Sequence, residues 1–294
     1  LAHPALAPAT SILTMSRLSA TVLLARRELV ALALSARGVV FGLVVALVTV
    51  AVAATLDGFL RRLTEETGVR IEPGVDASAW SADDVIRQKL EPYAEGRPLA
   101  QAALRRELSI PGATLAWVLG FVVPWLIVIA GHARICDDRR SGYSRFLFLR
   151  IHRSAYFAGK LVAQWGYATA IMALALLGHA LWWRTAGVDA LSDLPALALR
   201  SAAFAFPYAG LVLVASALVR SNVAALSLAT GALSGFGLLA AFADGWMGSP
   251  LAQLWVGQWT SALWAGSAAA GGVHLLSGAV FVTVGLAWLK GRDA

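Results

Sequence analysis

Long apolar runs alternate with shorter polar segments along this chain, and six of the runs are long enough to cross a membrane. A helix needs roughly 20 mostly apolar residues to span the hydrocarbon core of a bilayer. The pattern therefore predicts an all-α membrane protein with six transmembrane helices in a domain 37–294. The six spans contain no Asp, Glu, Lys or Arg, and they cover 38–56, 113–131, 161–183, 201–219, 223–243 and 267–289.

Two further segments outside the spans are predicted to be helical. Residues 15–36 pattern as an amphipathic helix that lies in the membrane interface, although they could also be the start of span one. The loop 57–112 is too long for a turn, so we expect a helical hairpin there, with helices near 81–90 and 98–108 and with Pro111 as a stop. This hairpin could dock an extracytoplasmic partner, gate an exit path, or passively cap the spans.

Composition and charge support the membrane prediction and orient it. Only 14% of the 294 residues are charged, whereas a soluble domain has about a quarter. The loop 132–160 carries seven Lys or Arg against two Asp, which favours the cytoplasmic side of an inner membrane, with both termini cytoplasmic. The net charge of +7 suits anionic membrane lipids, so it does not require a nucleic-acid partner. Residues 1–14 are interpreted as an extension before Met15.

Motifs for catalysis or metal binding do not occur in the sequence. It lacks a phosphate-binding G-x-x-x-x-G-K-[ST] loop and an H-E-x-x-H motif, and its five histidines are scattered. Ser234 and His274 could suggest an intramembrane serine protease, but the run around Ser234 has one residue too many for Gly-x-Ser-Gly. His274 is therefore predicted to be a polar residue packed between helices. We expect no enzymatic activity and no cofactor in this chain.

Two patterns in the second half of the chain concern packing. Ser227, Gly231 and Gly235 recur every four residues in span five, and small residues at this spacing let helices approach closely, within one chain or across a dimer. The loop 244–266 holds four tryptophans, and Trp182 and Trp183 are predicted near the same side. Tryptophan favours the membrane interface, so we predict a short helix that lies in or dips into the outer leaflet, with an ordinary aromatic belt as the alternative.

The loop 132–160 also holds charged, glycine and apolar residues at a characteristic spacing. Asp138, Arg139 and Gly142 stand where one family has Glu, Arg and Gly, and Tyr143 and Ile151 stand where that family usually has Thr and Pro. In these features the chain resembles ABC-2 type transporter permeases, especially the branch that includes the permease of the nitrous-oxide-reductase maturation system. Further matching residues are Pro124, Phe146, Leu147, Phe148, Arg153, Tyr156, Gly159 and Lys160, the Arg26 to Leu29 run and the turn at Arg220.

The resemblance implies the membrane subunit of an ATP-driven transporter, usually an exporter. In that family two permease subunits, identical or different, pair with two separate ATPase subunits that bind ATP and Mg²⁺. The loop between spans two and three forms a coupling helix that sits in a groove of the ATPase. The implied coupling residues in this chain are Asp138, Arg139, Gly142, Arg145, Phe146, Leu147, Arg150 and Arg153.

Two other functions remain open on the sequence. The chain could be a membrane scaffold that docks an extracytoplasmic partner through 57–112 without transporting anything. It could also be an ion-coupled secondary transporter, although its spans lack the acidic and basic residues that such proteins use at mid-membrane. The basic loop itself could serve only to set the topology.

Cysteine labelling tests the predicted orientation. We expect an impermeant thiol reagent added outside intact cells to label Ser78→Cys and not Ser141→Cys, because the Lys and Arg distribution places only residue 78 outside. The parent chain, which contains Cys136, is the control. The reverse labelling pattern would overturn both the orientation and the proposed contact with a cytoplasmic ATPase.

Overall fold

The computed structural model describes residues 16–67, 91, 95–105, 107–185, 190–242 and 256–291, and all regular secondary structure in these ranges is helical. A 3-10 turn, Val256–Trp259, precedes the last two helices. In chain order the α-helices are α1 (Arg17–Leu34), α2 (Ala36–Thr67), α3 (Pro98–Leu104), α4 (Ile110–Gly131), α5 (Arg134–Arg140), α6 (Tyr143–Phe148), α7 (Arg153–Thr185), α8 (Leu194–Leu218), α9 (Asn222–Phe242), α10 (Thr260–Trp264) and α11 (Ala268–Gly291).

Five helical segments in the described part of the chain are long and apolar enough to cross a membrane. This confirms the prediction of an all-helical, multi-pass membrane protein. The fifth predicted span, 223–243, coincides with the 21-residue helix α9, which is not among the five. The count of six spans therefore stays a prediction. The five segments are Ala36–Phe59, Ile110–Arg140, Arg153–Thr185, Leu194–Leu218 and Ala268–Gly291.

Helix α8 is the centre of the bundle. In its most apolar stretch 78% of the residues are buried, against 22% in α2 and in α11. It packs against α4, α7, α9 and α11. The outer helices instead expose large apolar side chains such as Leu47 and Val280, which suits contact with lipid tails, because a bilayer is as apolar as the side chains themselves.

Close packing of α11 onto its neighbours depends on two glycines. A Cβ added at Gly278 would collide with the ring of Phe206 from α8. One added at Gly285 would lie 2.7 Å from the Phe157 ring of α7. Since real Cβ atoms do not approach other atoms so closely, both positions need glycine for the helices to reach their observed separation.

Helix α9 packs on the bundle through its alanine face. Ala225, Ala229 and Leu233, at four-residue spacing, are buried. The predicted small-residue stripe lies on the other side, and a Cβ at Gly231 or Gly235 would meet no described atom within 4 Å. The stripe is therefore not packed against another described helix of the same chain. Its use in a dimer stays a prediction.

Helix α1 is confirmed as a helix, and α2 continues to Thr67, beyond the predicted end of span one at 56. The position of α1 in the membrane interface stays a prediction. Helix α3 ends at Leu104, before the predicted end at 108, and the predicted helix at 81–90 lies outside the described residues. Pro111 does not stop α3. It lies in the first turn of α4, where a missing N–H costs nothing, and Ser109 caps that helix.

The assignment of Trp183 and Trp264 to an interfacial belt was wrong. Both are buried to 2% exposure or less. The indole N–H of Trp183 donates to His179 over 3.1 Å, and Trp264 packs on Phe204 with 5.4 Å between ring centroids. His274 is packed between helices as predicted: it is fully buried, and its ring lies against Phe204 of α8 with 6.2 Å between centroids. Its Nδ1 is 2.9 Å from the Ala270 carbonyl oxygen of its own helix.

Paired glycine variants of α11 test the tight contact with α8. Gly278→Ala should destabilise the protein by about 1–3 kcal/mol, the usual cost of forcing extra atoms into a packed core. Gly272→Ala is the control on the same helix, since Gly272 is exposed and an added Cβ meets no described atom within 4 Å. The free energy of unfolding in detergent measures both. Equal stability of the two variants would rule out the close approach at Gly278.

Candidate functional site

The basic loop 132–160 is folded rather than extended. It contains α5, α6 and the first turns of α7, which begins at Arg153, ahead of the predicted start at 161. The chain turns sharply between α5 and α6 at Gly142, whose φ of 74° lies in the left-handed region that side chains disfavour. The glycine in the predicted motif is thus explained by the turn that reverses the chain.

Reciprocal capping fastens α5 to the end of α8. The Ser216 hydroxyl of α8 accepts hydrogen bonds from the backbone N–H groups of Ile135 and Cys136, at 2.9 and 3.1 Å, in the first turn of α5. In return the Arg139 guanidinium donates to the carbonyl oxygen of Ala217 at 2.9 Å, near the end of α8. Asn222, the first residue of α9, donates to Asp137 over 2.6 Å. Both helix ends thereby satisfy backbone groups that have no partner within their own helix.

A buried ion cluster lies behind α5; we define it as Glu28, Arg134, Asp138, Tyr156 and Lys160. The Lys160 ammonium is 2.8 Å from Asp138 and 3.2 Å from Glu28, and its side chain is only 2% exposed. The Arg134 guanidinium lies 3.4 Å from the same Glu28 oxygen. The Tyr156 hydroxyl donates to Asp138 over 2.7 Å.

The ion cluster is balanced, with two cations and two carboxylates. An isolated buried charge costs several kcal/mol, so each of these groups requires the others. The members come from α1, α5 and α7, so the same contacts fix the loop against the N-terminal helix and the long helix that follows it. Leu24 of α1 also lies against Gly159, where a Cβ would come within 2.9 Å of it.

Arg153 ties the other end of the loop to the last helix. Its guanidinium donates to the carbonyl oxygens of Leu289 and Lys290, at 3.2 and 3.4 Å, at the C-terminal end of α11. It also lies over the ring of Phe148, 5.5 Å from the centroid. A cation at a helix C-terminus interacts favourably with the helix dipole, so this contact stabilises both partners.

Four exposed residues of the loop form one surface; we define the loop tip as Arg145, Phe146, Leu149 and Arg150. The side chains of Phe146 and Leu149 are 71% and 84% exposed, and both arginines are exposed as well. The neighbouring Leu147 turns inward and packs on the core around Tyr156 and Phe157. Phe146 and Leu149 thus form an exposed apolar pair flanked by Arg145 and Arg150. The pair lies on α6 and the turn that follows it, and the inward side chain of Leu147 packs this segment on the core.

The sequence-predicted coupling residues fall into two groups. Arg145, Phe146 and Arg150 belong to the loop tip. Arg150 lies beyond the end of α6 rather than on a docking helix. The other five residues make contacts within the chain. Asp138 belongs to the ion cluster, and Arg139 and Arg153 cap helix ends. Gly142 forms the turn, and Leu147 packs on the core.

Sequence reasoning missed the exposure of Leu149 and the ion pairs of Glu28 and Lys160. The exposure of Leu149 did have a signal in the sequence. Phe146 to Leu149 is a run of four apolar residues in a basic loop, and the loop itself cannot bury all four side chains. The ion pairs had no local signal, because Lys160 is separated from both carboxylates by long stretches of sequence.

Comparison with models of known protein families gives no match for this chain. Comparison with curated protein sequences gives none either.

Removing the Lys160 ammonium should destabilise the fold. Lys160→Met leaves Asp138 and Glu28 with less compensation in a buried site, and breaking such a pair typically costs about 3–5 kcal/mol. Arg61→Gln is the control, because Arg61 also forms an ion pair, with Asp57 at 3.0 Å, but is 76% exposed. That variant should lose less than about 1 kcal/mol. Chemical denaturation in detergent gives both values.

A double variant separates the charge effect from lost packing. Lys160→Met combined with Asp138→Asn should recover part of the stability, because a neutral amide needs no cation and can still accept the Tyr156 hydrogen bond. If the double variant loses as much stability as the sum of the two single variants, the two side chains do not interact as the ion cluster requires.

Proposed function

We propose that this chain is the membrane subunit of an ATP-driven transporter of the ABC-2 type, an exporter whose ATPase is a separate subunit. The loop tip is the observation that carries the proposal. An apolar pair flanked by arginines, exposed on a basic loop between two candidate spans, is suited to bind a groove on a cytoplasmic protein. The proposal also places the protein in the inner membrane with both termini in the cytoplasm.

Each residue group has its own role in this mechanism. Phe146 and Leu149 enter an apolar groove of the ATPase, and Arg145 and Arg150 pair with acidic or carbonyl groups around it. ATP and Mg²⁺ belong to the ATPase, which supplies the chemistry. The role of this chain is mechanical, because the ATPase displaces its loop tip.

The ion cluster and the capping arginines transmit that displacement as positioning residues. Asp138 joins α5 to α7 through Lys160 and Tyr156, and Arg139 and Arg153 join the loop to the ends of α8 and α11. These contacts connect the loop to several candidate spans. A shift of the loop tip is therefore transmitted to the ends of those spans. A soft, solvated loop could not do this, since it would absorb the motion.

A second permease subunit completes the proposed complex. The exposed side of α9, with Ser227, Gly231 and Gly235, provides small residues for close helix contact with that subunit. Membrane lipid surrounds the remaining apolar surface. Residues 57–112 retain their proposed role as a contact for an extracytoplasmic partner.

Purification from native membranes tests the proposed function. The tagged full-length chain should copurify with an ATPase that carries a phosphate-binding Walker loop, and the complex should hydrolyse ATP. Phe146→Asp combined with Leu149→Asp should reduce the copurified ATPase at least roughly tenfold, since burying unpaired carboxylates in an apolar contact costs over 1.4 kcal/mol. Peptide mass spectrometry and phosphate release measure the two effects.

Leu18→Asp is the control, because Leu18 is an apolar residue, 74% exposed, that lies on α1 and not in the loop 132–160. It should leave both ATPase recovery and ATP hydrolysis unchanged. A complex without ATPase that still holds an extracytoplasmic protein would contradict the transporter and favour the scaffold. Full ATPase recovery by the double Asp variant would remove the loop tip from the contact.

A further inference from the structure

A groove of about 350 Å³ runs between α2 and the second half of α7. Both helices contain candidate membrane spans, and the volume falls within the range of roughly 300–1,000 Å³ that is typical of small-molecule sites. The stretch of α2 that lines the groove, from Gly42 to Ala53, rises about 16 Å. This length is about half of the hydrocarbon core of a bilayer, which is the depth that one lipid chain covers.

The groove has a buried floor and an exposed rim. Val45 and Ala53 of α2 and Ala175 of α7 lie on the floor and are at most 8% exposed. Leu174 and Trp182 of α7 lie on the rim and are 63% and 43% exposed. The groove is therefore open on the outer side of the bundle, where a spanning protein meets lipid tails. A molecule dissolved in the bilayer can enter it from there.

One polar side chain that lines this groove has an unsatisfied ring nitrogen. His179 is 2% exposed, and its Nδ1 is buried without a hydrogen-bond partner. The other ring nitrogen, Nε2, lies 3.1 Å from both the Trp183 indole nitrogen and the Pro111 carbonyl oxygen. A buried polar atom without a partner is costly, so native structures generally supply one. A molecule in the groove can be that partner.

The lining selects an uncharged molecule with a hydroxyl group. None of the described residues that line the groove is Asp, Glu, Lys or Arg, so a charged group would be left unpaired in an apolar site. Trp183 and Pro111 make opposite demands on Nε2, because one donates a hydrogen bond and the other accepts one. Nδ1 is a donor or an acceptor accordingly, and a hydroxyl group can bind it in both cases, whereas a carbonyl oxygen can only accept.

We propose that this groove binds a neutral single-chain amphiphile, of which a long-chain alcohol is the simplest member. Its alkyl chain lies along the small residues Gly42, Ala46 and Ala175, and its hydroxyl group binds Nδ1 of His179. A water molecule satisfies Nδ1 less well, since buried waters typically make about three hydrogen bonds and most of this lining is apolar. The inference does not rest on the proposed function, because a scaffold with the same two helices would hold the same ligand.

Photolabelling tests the site on the full-length chain in phosphatidylcholine vesicles. The probe is a long-chain alcohol that carries a diazirine in its alkyl chain, and peptide mass spectrometry locates the labelled residues. We expect labels on the peptides that contain 42–53 and 171–182. At equal mole fraction in the bilayer, dodecanol should compete with the probe roughly tenfold better than dodecane, as expected for one hydrogen bond to a buried group.

Matched variants locate the binding. Gly178→Leu fills the groove and should be tolerated by the fold, because Gly178 is exposed and an added Cβ meets no described atom within 4 Å. Labelling of α2 and α7 should then be lost. Gly272→Leu is the control on α11, since Gly272 shares both properties, and it should be labelled as the parent is. His179→Phe retains an aromatic ring without Nδ1, so dodecanol should compete no better than dodecane.

Three results would each overturn the proposal. Undiminished labelling of the Gly178→Leu variant would place the probe outside the groove. Labels spread equally over other exposed apolar residues, such as Phe121 and Val280, would reduce the effect to general contact with the bilayer. Equal competition by dodecane in the parent chain would remove the hydrogen bond to His179. These three results decide the proposal even where the His179→Phe variant does not fold.

Discussion

The buried ammonium of Lys160 is the constraint around which the half of this molecule that contains the basic loop is organised. Only 2% of its side chain is exposed, and a charge at that depth persists only when carboxylates approach it. Glu28 comes from the N-terminal helix and Asp138 from the short helix α5, and both are drawn to the same ammonium. One lysine therefore fixes how α1 and α5 lie against α7. The close approach of Leu24 to Gly159 brings α1 near enough for these contacts to form.

The behaviour of the loop follows from this anchoring. With Asp138 held from α7 and Arg139 held by the end of α8, α5 has little freedom, and Gly142 then turns the chain into α6. Leu147 is buried by that turn, while Phe146 and Leu149 are left without cover. An exposed apolar pair on a rigid support is what a docking surface requires, since ordering it costs little entropy when a partner binds.

Two kinds of arginine site arise in the same loop. Arg139 and Arg153 meet backbone carbonyl oxygens at the ends of α8 and α11, so their charge supports the helix termini. Arg140 and Arg220 instead line a cavity beside these helix ends. The rule that Lys and Arg favour cytoplasmic loops treats all of these charges alike. Their surroundings in the structure nevertheless give them different physical roles.

The sequence by itself determined the helical, membrane-spanning class, because the hydrocarbon core demands long uncharged apolar runs, and that demand acts on each segment separately. It also located the basic loop and its apolar run. Whether a given side chain in the loop faces inward or outward was decided by tertiary structure. Phe146 and Leu147 are adjacent and both apolar, but only the turn at Gly142 and the core around Tyr156 determine which of them is buried.

The same division holds for the charges and the tryptophans. The number of Lys and Arg residues per loop predicted an orientation, because the membrane responds to the sum of the charges near it. The pairing of Lys160 with Glu28 was set by the packing of α1 on α7, which no local pattern encodes. Trp264 was assigned to the interface by its residue type, whereas contact with Phe204 placed it in the core. The helicity and hydrophobicity of each segment were therefore determined by its own sequence. Contacts between residues distant along the chain were determined by the fold, because they depend on geometry that local composition does not contain.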